Sequence, residues 1–194
     1  MSQSVIEHCK AYSSNLISVL ERQDWRNVET LAQDIYRVWV DGKNLFLCGN
    51  GGSAGNAIHL ANDFLYGVGQ DFIPGIKVEA LSANPSVLTC LANDVGYDEI
   101  YSTQLDAKAS PGDILVILSG SGNSPNVIKA LEKGRQINME TYAILGYSGG
   151  VCLDLAKTAI HVPVDDMQIS EDMQLIVGHI CMQWLYKKRK ASLE

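Results

Sequence analysis

Residues 114–124, ILVILSGSGNS, decide the fold. Five consecutive aliphatic side chains leave no polar face, as expected of a strand covered by helices on both sides of a parallel sheet. The run ends in three serines, two glycines and an asparagine, and residues 125–136 then place apolar positions at helical spacing. Such a strand–loop–helix unit suits a phosphate or another small anion. The helix start presents unpaired N–H groups and the positive end of its dipole. A second loop of this kind, CGNGGS at 48–53, follows another apolar strand at 44–48. Two such loops on one chain point to a phosphorylated small molecule.

Outward from these loops, strand and helix alternate. The pattern predicts a helix over 54–65, a strand over 76–81, a helix over 85–92 and the strand 113–118 with its helix 125–136. A strand over 140–145, a short helix near 151–157, a strand over 159–162 and a long helix over 171–193 complete it. Two amphipathic helices come first. Residues 2–21 carry Val5, Cys9, Tyr12, Leu16 and Leu20 at helical spacing, and 25–41 carry Val28, Leu31, Ile35 and Val38 before Gly42 ends the helix. The expectation is one α/β domain over 1–194: a three-layer, doubly wound, parallel five-stranded sheet of flavodoxin-like order 2-1-3-4-5. Residues 1–42 form a helical appendage suited to packing against another subunit. In that order strands one and three are neighbours and their helices leave on opposite faces, which opens the crevice where such sheets bind ligands. Both loops fall there.

At 194 residues, 46% hydrophobic and 19% charged, the chain is ordinary for a globular domain with a core of its own. Its net charge of −7 argues against a nucleic-acid footprint, and the basic run at 187–190 suits a helix C-terminus. Cys9, Cys48, Cys90, Cys152 and Cys181 are single and unspaced, which reads as reduced thiols. With no signal-like start and no membrane-length apolar run, a cytoplasmic protein is expected.

Within the loop 119–124, Ser119, Ser121 and Ser124 can donate to phosphate oxygens, while Gly120 and Gly122 permit close backbone approach. Each hydrogen bond to a charged group contributes roughly 1.5–3 kcal/mol, so three or four hold a phosphate without Lys or Arg. Ser124 is also placed to cap the next helix. There is no GxxxxGK[ST], and Gly49, Gly51 and Gly52 do not match GxGxxG, so a nucleotide-binding enzyme is disfavoured. His59 and Asp63 are i and i+4 on one helix face. Glu171 and His179 are eight apart on the last helix, rotated by roughly 80°. Two histidines and two carboxylates suit a divalent-metal site or an acid–base set. Each alone also has a plain reading: a surface His59, a first-turn Glu171 after Ser170, a core His179. His8 and His161 show no partner. Asn93 and Asp94 favour a turn, and near a sugar they bind hydroxyls. Cys48 closes a strand.

CGNGGSAGNAIHLANDF, LANDVGYDEIYSTQL and LSGSGNSPNVIKAL together resemble the phosphoheptose isomerases of the sugar-isomerase (SIS) family, in order and spacing over almost the whole chain. The resemblance implies a cytoplasmic homotetramer that converts sedoheptulose 7-phosphate to D-glycero-D-manno-heptose 7-phosphate through an enediol, an early step toward bacterial surface heptose. Charge and hydropathy give no expectation of a nucleic-acid or membrane partner. The resemblance assigns the phosphate to Ser119, Gly120, Ser121 and Ser124, with Gly120 standing where a threonine is usual. Asn50, Gly51, Gly52, Asn93 and Asp94 line the substrate site, with Ser53 beside them. It places Zn²⁺ or another divalent cation, and the acid–base work of Asp63, Glu171 and His179, on His59, Asp63, Glu171 and His179. The chain departs from the family at Asp63, normally glutamate, and at Glu171, normally glutamine. The family's RIQExH becomes ISEDMQ at 169–174, and an arginine expected near Val68 and Gly69 is missing. Those departures leave a second reading: a non-catalytic relative that binds a sugar phosphate or a protein partner, like the replication-initiator-associating proteins of the same fold.

Overall fold

In the computed structural model, which describes residues 4–69 and 75–192, five strands form one sheet. These are β1 (Asn44–Gly49), β2 (Lys77–Ala80), β3 (Ile114–Ser119), β4 (Glu140–Leu145) and β5 (Thr158–His161), all parallel, in the order β2-β1-β3-β4-β5. The expected topology is therefore observed. Pleat alternation sends Leu45, Leu47, Val116, Leu118 and Ile144 to one face, and Phe46, Cys48, Leu115, Ile117 and Ala143 to the other. Leu45 pairs with Ile114 and Gly49 with Leu118, so β1 and β3 end at the same level.

The first face is covered by α2 (Arg26–Val40), α3 (Gly52–Asn62) and α8 (Met167–Ala191). The second is covered by α5 (Ser102–Lys108), α6 (Pro125–Gln136) and α7 (Cys152–Leu155), with α4 (Pro85–Asp94) packed at its margin. The helix after β1 and the helix after β3 thus lie on opposite faces, and the two glycine–serine loops flank the switch point.

Several expectations change. Residues 1–42 are not one appendage. Val28, Leu31, Ile35 and Val38 of α2 are buried in the first core, and Tyr142 donates its phenol to Asp34 at 2.5 Å. Only α1 (Val5–Arg22) stays peripheral, burying Val19 and leaning on α8 through the Tyr12 hydroxyl and Asp172. The long helix starts at Met167, four residues before Glu171, because Asp166 accepts from the Ile169 N–H at 3.1 Å and caps it. Ser170 is no cap; its hydroxyl donates back to the Asp166 carbonyl at 2.7 Å. The helix expected over 54–65 is α3 followed by a π-helical turn, Asp63–Gly67. A one-turn 3-10 helix, Tyr97–Glu99, and α5 were not expected. The expected helix ends at positions 2 and 193 lie outside the described residues. Among the described residues no helix is long and apolar enough to cross a membrane.

Candidate functional site

The loop after β3 is held open by its own hydroxyls. Ser119 Oγ accepts from Gly122 N–H at 3.0 Å, and Ser121 Oγ accepts from Asn123 N–H at 3.3 Å, which leaves both hydroxyl protons to donate. Ser124 occupies the N-cap position of α6, yet makes no capping bond, so the expected cap is absent and its hydroxyl stays uncommitted. Gly122 has φ +66° and lies so close to the Gly149 carbonyl that a Cβ would overlap it. Its own carbonyl accepts from Cys152 N–H at 3.0 Å, and Asn123 Oδ1 accepts from Val151 N–H at 3.0 Å. The loop is thereby braced from below by the β4–α7 connection. At Gly120, a Cβ would meet Met167 Sδ at 2.7 Å, so a methionine side chain fills the space beside this glycine.

The loop after β1 is shaped differently. A Cβ on Gly49 would meet the Leu118 carbonyl at 2.7 Å, and Gly51 has φ +53°. Asn50 exchanges two 2.8 Å hydrogen bonds with Asn126 in the first turn of α6, Nδ2 to Oδ1 in each direction. That pair ties the two loops together across the switch point. Ser53 is buried, and its Oγ accepts from Gln174 Nε2 at 2.9 Å, which ties the first turn of α3 to α8. Glu171 lies half-buried with both carboxylate oxygens against Gly52, where any side chain would overlap them. Asn93 and Asp94 sit exposed at the end of α4. Asn93 Nδ2 donates to Asp94 Oδ1 at 2.7 Å, and the Cys90 thiol donates to Asp94 Oδ2 at 3.5 Å.

α3 and α8 run side by side in the same direction. Gly52 meets Glu171, Asn56 Nδ2 donates to the Glu171 carbonyl and to Gln174 Oε1 (3.0 Å each), and Leu60 packs on Gly178. This parallel ladder brings His59 and His179 together, Nε2 to Nε2 at 3.0 Å with rings edge to face. Asp63 Oδ2 lies 3.4 Å from His59 Nε2 and 3.3 Å from His179 Nε2. Asp63 opens the π-helical turn, a feature that re-aims side chains and recurs at functional sites. Glu171 is not part of this cluster. It stands about 12 Å from His179 along a rigid helix, so the four-residue set expected from the sequence separates into three plus one.

The three atoms fit a cation. A tetrahedral Zn²⁺ with Zn–N bonds of about 2.0–2.1 Å has ligand-to-ligand edges of about 3.3 Å, and the observed triangle is 3.0, 3.3 and 3.4 Å. The Cys48 thiol is not a nucleophile: complete burial pushes its pKa far up. His161 does have a partner, the Tyr147 carbonyl at 2.9 Å. Asn126 and Tyr97 escaped the sequence reading. Asn126 carried one clue, an amide placed directly after the Ser124–Pro125 helix start.

A family model described as SIS domain matches residues 9–146. The chain is 37% identical over 177 residues to a phosphoheptose isomerase of Chlorobaculum parvum, covering 89% of this chain and 83% of that one. It superposes on the phosphoheptose isomerase of Neisseria gonorrhoeae with a TM-score of 0.85 at 26% identity, over 94% of this chain and 98% of the other. A phosphoheptose isomerase from Francisella tularensis shares the fold at TM-score 0.88 and 21% identity, over 95% of this chain and all of the other.

Proposed function

The chain belongs to the SIS domain family and, within it, to the phosphoheptose isomerases, and from that premise we propose that it interconverts sedoheptulose 7-phosphate and D-glycero-D-manno-heptose 7-phosphate. The non-catalytic alternative is not favoured, since the relatives matched over most of the chain are isomerases. The observation that carries the reading is the convergence of His59, Asp63 and His179 on one point, beside a fold whose switch point holds a serine loop.

The phosphate docks on the hydroxyls of Ser119, Ser121 and Ser124 and on the loop amides near Gly120. Charge-assisted bonds of this kind replace the missing cationic side chains. Asn50, Asn93 and Asp94 take sugar hydroxyls, Gly51 and Gly52 allow the chain close to the backbone, and the Glu171 carboxylate accepts a hydroxyl at the α3 end of the crevice. Asp63, through the carboxylate oxygen that does not face the imidazoles, receives the proton from the carbon next to the carbonyl and returns it to the neighbouring carbon of the enediol, and His179 orients that carboxylate and the sugar oxygens for the transfer. A divalent cation such as Zn²⁺, when bound, is held by His59, Asp63 and His179 and supplies the positive charge that polarises the carbonyl and hydroxyl oxygens.

The site is completed by assembly. Ile58, Leu65, Tyr66 and Ile180, all exposed, neighbour the three site residues in sequence. An apolar rim around a polar cluster suits coverage by other copies of the chain, in a homotetramer. Such an enzyme works in the cytoplasm, where its phosphorylated substrate is made. The test is turnover of sedoheptulose 7-phosphate by the purified protein, followed by NMR of the sugar. Turnover abolished by His179→Ala and reduced by a chelator is expected. No conversion of any seven- or six-carbon sugar phosphate ends the reading.

A further inference from the structure

Tyr97 reaches across the seam between the two loops, and nothing in the proposed chemistry uses it. It opens the 3-10 turn Tyr97–Glu99, preceded by Gly96 at φ +124° and ψ 149°, a conformation close to glycine-only. Its phenol donates to Asn50 Oδ1 at 3.2 Å, while the residue stays 58% exposed. The base of the turn is firm. The Glu99 carboxylate accepts from Lys129 Nζ at 2.6 Å and from the Ser102 hydroxyl, and Ile100 and Tyr101 beside it are buried. A ring fixed at its base, bare along its face and bonded at its tip to a ligand-loop side chain is placed for a guest, not for the core.

Donor and acceptor arithmetic defines that guest. Asn50 Oδ1 accepts from Asn126 Nδ2 and from Tyr97, and Asn126 Oδ1 accepts from Asn50 Nδ2 and from Val127 N–H at 3.0 Å. Both amide oxygens have used their two lone pairs. Asn126 is buried, so what faces outward at the seam is one N–H of the half-buried Asn50 amide and the lone pairs of the Tyr97 oxygen. A donor and an acceptor side by side match an alcohol, which needs both, and a second anion would leave the phenol oxygen facing negative charge.

Building on the phosphosugar reading, we propose that Tyr97 is a substrate-positioning residue. Its oxygen accepts a hydrogen bond from a sugar hydroxyl while its proton stays on Asn50, and its ring covers the carbon chain leaving the phosphate loop.

The experiment compares wild type, Tyr97→Phe and Tyr97→Ala in steady-state turnover of sedoheptulose 7-phosphate, with inorganic phosphate as a competitive inhibitor that reports the serine loop alone. In Tyr97→Phe the KM rises about three- to tenfold, the worth of one neutral hydrogen bond. kcat stays within about twofold, and inhibition by phosphate is unchanged; Tyr97→Ala raises KM further. An unchanged KM in Tyr97→Phe overturns the proposal, and so does a parallel loss of phosphate inhibition, which marks a merely structural role. If wild type turns over no such sugar phosphate, the isomerase reading fails separately. Calorimetry then decides on Tyr97: Tyr97→Phe must weaken binding of sedoheptulose 7-phosphate by that factor and leave inorganic phosphate alone, and equal affinities overturn it.

Discussion

Asp63 is one methylene shorter than the glutamate of the family pattern, about 1.5 Å of reach. Even so, its Oδ2 stands 3.3–3.4 Å from both imidazoles. The residue sits where α3 turns π-helical, so backbone geometry and not side-chain length aims the carboxylate. Asp63→Asn keeps the shape and removes the base; kcat falls about 10²–10⁴-fold, read by turnover of sedoheptulose 7-phosphate. The i, i+4 relation of His59 and Asp63 was legible in the sequence because one helix carries both. Their meeting with His179 was not, since it depends on which helices pack in parallel and at what offset. Pairing Glu171 with His179 failed for the same reason: eight residues of rigid helix hold them apart. The cysteines allow an independent check. Burial pushes the Cys152 thiol up to about 11 and Cys181 up to about 12, and Cys48 higher still. Brief alkylation of the native protein at pH 8, read by mass spectrometry, labels exposed Cys9 and spares these three. Exposed Cys90 reacts more slowly than an ordinary thiol, because Asp94 accepts its proton and raises its pKa.

Two contacts between elements decide whether the site stays assembled. Gly178 lets α8 approach α3 closely enough for His59 to reach His179, and Leu60 fills the space a side chain would need. Leu60 is itself in the core, so it has nowhere to move. Gly178→Ala overpacks this contact at about 1–3 kcal/mol, and both the melting temperature and kcat fall as the helices separate. The second contact is Lys129 on α6 with Glu99, the foot of the Tyr97 turn. The Lys129 amine first, then the Ser102 hydroxyl, hold the Glu99 carboxyl below its ordinary value of 4.5. A lowered folded-state pKa means that the contribution is complete above that ordinary value and is lost as pH falls through the lowered one. Both partners are about a third exposed, so Lys129→Met lowers the melting temperature only slightly. It raises KM through Tyr97, and the difference between mutant and wild type begins to shrink as pH falls below about 4.5 and is gone only below the lowered Glu99 value. The elements most legible from sequence were those with full periodicity and clear ends. α6, opened by Pro125, and β4 were placed at their observed bounds. α5 was missed because it is seven residues long and has no side-chain cap. The run-in to α8 was missed because Asp166 stands in a polar stretch with no apolar period before it.

At the scale of the molecule, the sheet order, the opposed helix layers and the shared level of β1 and β3 follow from strand–helix alternation and apolar runs alone, which is why the crevice was legible. Surface chemistry was less so, because exposure is set by packing that the sequence does not display. The His59 and His179 side chains are 49% and 40% exposed, a wet setting for proton transfer, where electrostatic stabilisation is strongest once water is excluded. Ile180 is next to His179 and also lines an apolar groove of about 360 Å³ with Trp25, Val28, Ala32 and Trp184. The same residue therefore borders both the cluster and an apolar groove of this face. If copies of the chain cover that face, one charge there must undo assembly and catalysis together. Ile180→Asp is the variant, since a 42% exposed position tolerates the change in a free monomer. Light scattering gives about four times the 21.2 kDa chain for wild type and a smaller mass for the variant. kcat falls in step with the lost mass and recovers as protein concentration is raised. Binding of inorganic phosphate is unaffected, since α8 meets the serine loop at Met167, beside Gly120, and Ile180 lies about 20 Å further along the helix. A variant that is monomeric and fully active shows instead that one copy of the chain shields the cluster by itself.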